Sequence, residues 1–200
     1  MTLDFDDLIK LREVAKAADV IVIGPGLGLE RLDLLTEVLN LLTENQKLVI
    51  DGSALTLFAR EHLDLPFPEN TVFTPHEMEL ERLSGLKIGQ QTKEEVQDFV
   101  NQLGAIVVAK SSETRIFAPN RESFILKIGS PAQATGGMGD TLAGMVGGFL
   151  AQFHGETEEV VAAATYLHSL IASVLARKTY VVLPSRLIEE IPLFMKKYEC

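Results

Sequence analysis

The sequence predicts an α/β fold of three layers, with helices on both faces of a mostly parallel central sheet. Short runs of β-branched and aliphatic residues alternate with longer segments whose apolar residues recur at helical spacing. A polar or glycine-rich segment follows nearly every short run, which is where a parallel strand ends before its crossover helix. Because 200 residues suffice for a sizeable core, we expect one domain over residues 1–200.

Apolar spacing defines the elements expected up to residue 61. In chain order they are a helix at Asp4–Ala18, a strand at Val20–Ile23, a helix at Leu29–Thr43, a strand at Lys47–Ile50 and a helix at Ser53–Glu61. The first strand is β-branched throughout and ends at a glycine, so we expect it to be buried. Ser53 is suited to cap the third helix.

The remaining elements follow the same alternation and then become helical. Between residues 62 and 127 we expect strands at Thr71–Phe73 and Ala105–Ala109, helices at Glu77–Leu83 and Lys93–Leu103, and an antiparallel pair at Arg115–Ala118 and Ser123–Lys127. The last third predicts helices at Met138–Phe153, Thr157–Ala176 and Pro184–Tyr198.

Charge and composition exclude several classes of protein. The formal net charge is −10, whereas a nucleic-acid binder needs a basic face. No apolar run reaches the roughly 20 residues of a membrane span, and the acidic start at Met1–Asp7 lacks the basic and apolar regions of a signal peptide. One cysteine, Cys200, cannot form an internal disulfide. We therefore expect a cytoplasmic protein that binds neither nucleic acid nor membrane.

Four polar segments stand at the carboxyl ends of the four expected parallel strands. Ligands of open α/β sheets bind beyond these ends, so neighbouring parallel strands would bring the segments into one cleft. The segments are Gly24–Gly28, Asp51–Ser53, Thr74–Glu77 and Lys110–Thr114.

The run Thr135–Asp140 has the composition of a phosphate-binding turn. Its glycines permit a tight bend, and the helix that begins near Met138 adds main-chain amides and the positive end of its dipole. We expect Gly137, Met138 and Gly139 to form an anion hole. Asp140, in the first helical turn, can take a proton from a substrate hydroxyl that attacks phosphorus.

Other residues allow two interpretations. His76 can contact a ligand or cap a helix, and Lys110 can bind phosphate or be a solvated charge at a strand end. His62, His154 and His168 lack the spacing of a metal site or catalytic dyad, which favours surface or core placement.

A redox enzyme is the alternative suggested by the first glycine-rich segment. Gly24–Gly28 followed by Asp51 imitates a dinucleotide fingerprint, but its spacing is G-x-G-x-G and this interpretation leaves the later glycine run unexplained.

Taken together, these motifs resemble the ribokinase superfamily and, within it, the NAD(P)H-hydrate dehydratases known as YjeF carboxyl-terminal domain proteins. The likeness covers nearly the whole chain and is carried by five motifs in order. They are Gly24–Gly28, Asp51–Leu55, Thr74–Met78, Lys110–Thr114 and Ala134–Asp140.

The resemblance implies a ribokinase-like fold and an enzyme that uses ADP or ATP to remove water from hydrated NADH or NADPH. Asp140 would be the catalytic base and would bind the substrate together with Gly26 and His76. The implied nucleotide site consists of Lys110, Ser111, Ser112, Glu113, Thr114 and Gly139. Phosphoryl transfer implies Mg²⁺ as well, with ligands that the sequence does not identify.

The chain departs from the family pattern at several positions. It has Lys110-Ser111-Ser112 where the family has Lys-Gly-Ala, and Asp51-Gly52-Ser53 where the family has Asp-Ala-Asp. Family domains also carry further βα units before the Gly24–Gly28 segment, so the chain resembles an amino-terminally shortened member. An exposed sheet edge would then favour a homo-oligomer. The alternatives are a vitamin-precursor kinase of the same superfamily and a non-catalytic nucleotide-binding module.

Overall fold

The computed structural model describes residues 7–198, which form a six-stranded sheet flanked by helices. The strands are β1 Val20–Ile23, β2 Lys47–Ile50, β3 Thr71–Phe73, β4 Ile106–Ala109, β5 Arg115–Phe117 and β6 Phe124–Ile125. They lie side by side in chain order. The first four are parallel, and β5 and β6 extend the sheet antiparallel. The predicted, mostly parallel sheet is confirmed.

All expected helices are present, with bounds that differ by a few residues. They are α1 Leu8–Ala17, α2 Leu32–Leu41, α3 Gly52–Arg60, α4 Glu77–Ser84, α5 Lys93–Leu103, α6 Met138–Gln152, α7 Thr157–Leu175 and α8 Pro184–Tyr198. Short 3₁₀ turns occur at Pro68–Asn70, Ile88–Gln90 and Pro131–Gln133. Residues 4–6 of the first expected helix and Cys200 lie outside the described residues.

Helices cover both faces of the sheet, as expected for three layers. Alternate strand residues point to opposite faces, so Leu48 and Ile50 pack on the layer that contains α2 to α5, whereas Val49 packs on the layer of α6 and α7. A third apolar cluster joins α6, α7 and α8 around Ile171 and Leu187, both of which are fully buried.

Strand β1 differs from the expected buried strand. It is the terminal strand of the sheet, and Val22 is 39% exposed. The expectation was wrong because a β-branched run also suits a strand that is covered on its faces but unpaired along its outer edge.

The predicted N-cap of α3 was also wrong. The helix begins at Gly52, one residue earlier than expected, and its N-cap is Asp51. Strand β2 ends at Ile50 and leaves no room for a longer connection, so Ser53 lies inside the first turn.

Helix α7 is long and apolar enough to satisfy the composition test for a membrane span, with half of its most apolar window buried. Nine of its residues, including Val161 and Ile171, are buried between α6, α8 and the sheet. Packing within the protein therefore accounts for its apolar composition.

Candidate active site

The four strand-end segments meet at one edge of the sheet. A side chain on Gly24 would overlap the carbonyl of Asp51, which shows how closely the first two segments approach. The amide of Lys110 donates to the carbonyl of Pro75 at 2.8 Å, which joins the third and fourth segments. The expected convergence follows from the parallel order of β1 to β4.

The glycine-rich turn before α6 has the shape expected of an anion site. Gly137 is the N-cap with φ 84°, a left-handed conformation that favours glycine, and no side chain caps the helix. The amide of Met138 donates to the Thr135 carbonyl at 3.3 Å, so this amide is already paired. Gly139 and Asp140 follow in the first turn, where helical amides lack an intrahelical acceptor. The expected anion hole therefore depends mainly on the amides after Met138.

Two contacts fix the turn from one side. The Thr135 hydroxyl donates to the carbonyl of Val182 at 3.0 Å, and the Val182 amide donates to the carbonyl of Ala132 at 2.8 Å. The segment before α8 thus braces the turn that starts α6.

The side chain of Asp140 is exposed in the first turn of α6. Among residues 7–198 it has no hydrogen bond or ion pair. The positive end of the α6 dipole favours its charged form. The carboxylate is therefore available to a ligand hydroxyl beside the glycine-rich turn before α6.

A buried ion pair brings positive charge to the same turn. Lys110 Nζ lies 2.9 Å from Asp51 Oδ1, and the Asp51 side chain is 3% exposed. The ammonium would lie 3.3 Å from a side chain placed on Gly139. A protein with net charge −10 thus has a local cation at the start of α6.

Sequence reasoning placed Asp51 at the sheet edge but assigned it no role in the site. It lies 59 residues from Lys110, and only the pairing of the strands brings the two together. The available signal was its position at the end of a parallel strand, beside the other ligand segments.

The capping interpretation of His76 is confirmed. Its Nδ1 accepts from the amides of Met78 and Glu79, both at 3.2 Å, and the Glu79 carboxylate accepts from the His76 amide at 2.9 Å. Because Nδ1 is an acceptor, the proton of the neutral ring is on Nε2. The side chain is 51% exposed, and Nε2 lies 3.6 Å from Glu79 Oε2.

The segment from Ser111 to Thr114 forms a compact turn of its own. The Ser111 hydroxyl accepts from the Glu113 amide at 3.1 Å and donates to its carbonyl at 2.9 Å. Lys110, Ser111, Ser112 and Glu113 line a cavity of about 450 Å³ between the turn, α4 and α5.

The cavity does not include the whole expected site. Gly26, His76, Thr114, Gly139 and Asp140 do not line it, and Lys110 connects the two regions. Around Gly26, no atom lies within 4 Å of the position that a side chain would take, so its main chain faces open space. The expected substrate and nucleotide residues therefore lie on adjacent parts of one sheet edge.

Two buried polar residues were given no role in the site from the sequence, although Thr74 opens the third strand-end segment and His168 was expected at the surface or in the core. Thr74 is fully buried at the end of β3, and its hydroxyl has no partner among the described residues. His168 is 4% exposed on α7, and its Nε2 has no partner among the described residues. His168 lies in the core, one of the two placements expected for it, whereas the burial of Thr74 depends on contacts between distant elements.

Magnesium would depend largely on the nucleotide for its ligands. Within residues 7–198 no three His, Cys, Asp or Glu side chains form a potential metal cluster. Mg²⁺ commonly uses one or two carboxylates together with substrate phosphates, so the phosphates of a bound nucleotide would supply ligands that the protein does not. The residues present fit an ion that arrives with the nucleotide.

Comparisons with known proteins agree with this architecture. A family model described as NAD(P)H-hydrate dehydratase matches residues 2–193. The ADP-dependent (S)-NAD(P)H-hydrate dehydratase of Enterococcus faecalis is 48% identical over 200 residues, which cover 99% of this chain and 68% of that protein.

Solved structures show the same likeness. A ribokinase-like superfamily protein from Enterococcus faecalis superposes with a TM-score of 0.96 at 48% identity, covering 99% of this chain and 70% of the other. The ADP/ATP-dependent NAD(P)H-hydrate dehydratase of Bacillus subtilis, crystallised with ATP and Mg²⁺, gives 0.79 at 27% identity, covering 94% and 72%. By sequence, fold and the order of its motifs, the chain belongs to the NAD(P)H-hydrate dehydratase family.

Proposed function

We propose that this chain is a nucleotide-dependent lyase that restores NADH and NADPH from their hydrates, with ADP as the phosphoryl donor. The curated Enterococcus relative is ADP-dependent, and the Bacillus structure was obtained with ATP and Mg²⁺. The observation that carries the proposal is the juxtaposition of three groups at the start of α6. They are the available Asp140 carboxylate, the Gly139 main chain and the Lys110 ammonium.

In the first step the hydroxyl of the hydrate attacks the terminal phosphorus of ADP. Asp140 accepts the hydroxyl proton, and AMP leaves with the electron pair of the broken P–O bond. Lys110 and the amides from Gly139 onward stabilise the charge on the transferring phosphoryl oxygens. Magnesium, when bound with the nucleotide, supplies further charge neutralisation.

In the second step phosphate leaves from the phosphate ester, because phosphate is a better leaving group than hydroxide. The C–O bond breaks with its electron pair going to phosphate, and the neighbouring ring carbon loses a proton as the ring double bond forms. Atoms balance as ADP plus hydrate yielding AMP, phosphate and the dihydronicotinamide. In this proposal Gly26 and His76 contact the hydrated cofactor, the latter through a side chain that is 51% exposed.

The nucleotide is assigned to the turn that follows β4. Lys110, Ser111, Ser112, Glu113, Thr114 and Gly139 would surround its phosphates and sugar. Ser111 and Ser112 stand where the family has a glycine and an alanine, so hydroxyl groups replace part of the usual main-chain surface.

Absorbance at 340 nm tests the proposal directly. Purified protein, hydrated NADH, Mg²⁺ and ADP should give a rise in absorbance with one AMP formed per NADH, and ATP should be compared in parallel. Nucleotide binding by calorimetry without a rise would contradict the proposal in favour of a non-catalytic module. Phosphorylation of a vitamin alcohol without repair would contradict it in favour of a kinase.

We also propose that the protein self-associates through the outer edge of β1. This strand has no partner on its outer side within the described sheet, and Val20–Ile23 contains neither proline nor charge. Sedimentation should show a dimer, and Val22→Lys should shift it to monomer. A monomeric wild-type chain would contradict the proposal.

We further propose that the protein is cytoplasmic, as expected from the sequence. Cell fractionation tests this location.

A further inference from the structure

An exposed apolar segment, residues 180–183, lies between α7 and α8. Tyr180, Val181 and Leu183 are 97%, 45% and 53% exposed, whereas Val182 is 1% exposed and belongs to the apolar cluster of α6, α7 and α8. One side chain thus anchors the segment in the core while its neighbours face outward. Exposed apolar side chains grouped in this way are typical of a surface that binds a ligand or a partner.

Three contacts fix this segment beside the glycine-rich turn before α6. The Val182 carbonyl accepts from the Thr135 hydroxyl at 3.0 Å, and the Val182 amide donates to the Ala132 carbonyl at 2.8 Å. Cγ of Pro184, the first residue of α8, lies 3.4 Å from the position that a side chain on Gly137 would take. The outward side chains of the segment therefore have a fixed place next to the expected phosphate-binding turn.

The charge around the segment favours an anionic ligand. No Asp or Glu occurs between Glu159 and Glu189, although the chain has 28 acidic residues and a net charge of −10. Arg177 and Lys178, both exposed, come just before the segment. This part of the surface therefore repels a ligand that carries phosphates less than the rest of the protein does.

We propose that Tyr180 binds the adenine ring of the nucleotide whose phosphates bind at the glycine-rich turn. An aromatic side chain can stack on the flat face of any base, and Val181 and Leu183 extend the apolar surface around it. The hydrated nicotinamide ring suits a stacking surface less well, because addition of water saturates one of its double bonds and leaves it non-planar. The inference rests on the proposed function for the identity of the nucleotide.

Three variants separate the aromatic ring from other effects of substitution. Tyr180→Ala removes the ring, and Tyr180→Phe keeps the ring without its hydroxyl. Tyr166→Ala is the matched control, because Tyr166 is a half-exposed tyrosine that lines a groove with Phe153, beyond the end of α6 that lies away from the turn. Thermal unfolding of each variant establishes that the fold is retained.

Calorimetry with two probes measures recognition of the base without turnover. ADP carries a base and phosphates, whereas pyrophosphate carries phosphates alone, and each is titrated at the same Mg²⁺ concentration. Tyr180→Ala should weaken ADP binding by roughly tenfold, the scale of a lost base–aromatic stack, while pyrophosphate binding stays within about twofold of wild type. Tyr180→Phe and Tyr166→Ala should bind both probes within about twofold of wild type.

Several outcomes would overturn the inference. Equal weakening of both probes in Tyr180→Ala would assign the effect to the turn instead of the base. Unchanged ADP affinity in that variant, or wild type that binds ADP no more tightly than pyrophosphate, would exclude a base contact. A raised KM for the hydrate with unchanged ADP affinity would give the segment to the substrate. If wild type binds ADP but does not turn over the hydrate, the proposed function fails, and selective loss of ADP affinity in Tyr180→Ala would still support the inference.

Discussion

At the scale of the residue, the proposed mechanism gives proton transfer to Asp140 and charge stabilisation to Lys110, two side chains in different environments. Asp140 is exposed and unpaired among the described residues, whereas Lys110 is held by a buried carboxylate. A group that accepts a proton must meet the ligand directly, and a group that stabilises charge needs a fixed position. The two environments match these two tasks.

Substitution of Asp140 should separate turnover from binding. Asp140→Asn keeps the shape of the side chain but removes the base, so we expect kcat to fall by about 10³-fold with ADP affinity nearly unchanged. Initial rates at 340 nm and calorimetry with ADP measure the two effects. Glu95→Gln, in the first turn of α5, is the control for loss of an exposed helical carboxylate. Wild-type activity in Asp140→Asn would reject Asp140 as the base.

The Lys110–Asp51 pair should show a stability cost that a second substitution relieves. Lys110→Met leaves the buried Asp51 carboxylate unpaired, so the free energy of unfolding should fall by about 3 kcal/mol. Adding Asp51→Asn removes the unpaired charge and should restore most of that loss. ADP affinity should remain weak in both variants because the cation is absent. Urea titrations and calorimetry measure these effects; recovery of ADP affinity in the double variant would contradict a role for Lys110 in nucleotide binding.

His168 should make stability depend on pH. The unfolded ring titrates near 6.5 and the folded ring near 4, so protons bind preferentially to the unfolded chain between these values. The free energy of unfolding should therefore fall as pH drops from about 6.5 to about 4, by roughly 3 kcal/mol from this group. His168→Asn should lack this component, which the difference from wild type in urea titrations isolates. His154→Asn, an exposed histidine, should retain it.

At the scale of the element, helix α4 is capped by His76, the residue also expected to contact the substrate. His76 Nδ1 closes the capping box with Glu79, and its Nε2 lies 3.6 Å from Glu79 Oε2 on a side chain that is 51% exposed. His76 therefore lies in a strand-end segment, caps α4 and is the residue expected to contact the substrate.

Two substitutions at His76 should separate these roles. His76→Ala removes the cap, so the free energy of unfolding should fall by about 1 kcal/mol. His76→Asn can cap the helix and should restore stability, but it lacks the Nε2 donor. KM for the hydrate should rise in both variants. Urea titrations and saturation kinetics test this, and wild-type KM in His76→Asn would limit His76 to the cap.

Local patterns predicted the elements well because strand and helix periodicity are properties of neighbouring residues. Lys47–Ile50, Thr71–Phe73, Lys93–Leu103 and Pro184–Tyr198 were predicted at their observed bounds. Features set by packing were missed. The edge position of β1 depends on which strands lie beside it, and the start of α3 depends on how abruptly β2 ends.

The candidate site shows the same division. The glycine turn and Asp140 were predicted because they are contiguous in the chain, and the convergence of the strand ends followed from the parallel topology. The Asp51–Lys110 pair joins residues 59 positions apart, and no local pattern encodes it.

At the scale of the whole molecule, one sheet connects the two helical layers. Residues of β2 alternate between the two main apolar clusters. Helix α6 follows the glycine-rich turn, and its body packs on β1 and β2. If either helical layer separated from the sheet, it would expose the sheet against which the other layer packs. The candidate site draws on both layers, since Asp51 begins α3 and Gly139 begins α6.

We propose on this basis that the chain unfolds as a single domain in one cooperative transition. The chain has no tryptophan, and its three tyrosines, Tyr166, Tyr180 and Tyr198, all lie in the last third. Tyrosine fluorescence therefore reports on the α7–α8 side, whereas far-ultraviolet circular dichroism reports on all helices. The two urea transitions should coincide, and ADP at 100 times its Kd should stabilise both by about 2.7 kcal/mol. A tyrosine transition that separates from the dichroism transition, or that ADP fails to shift, would divide the chain into two units and place the ligand on only one of them.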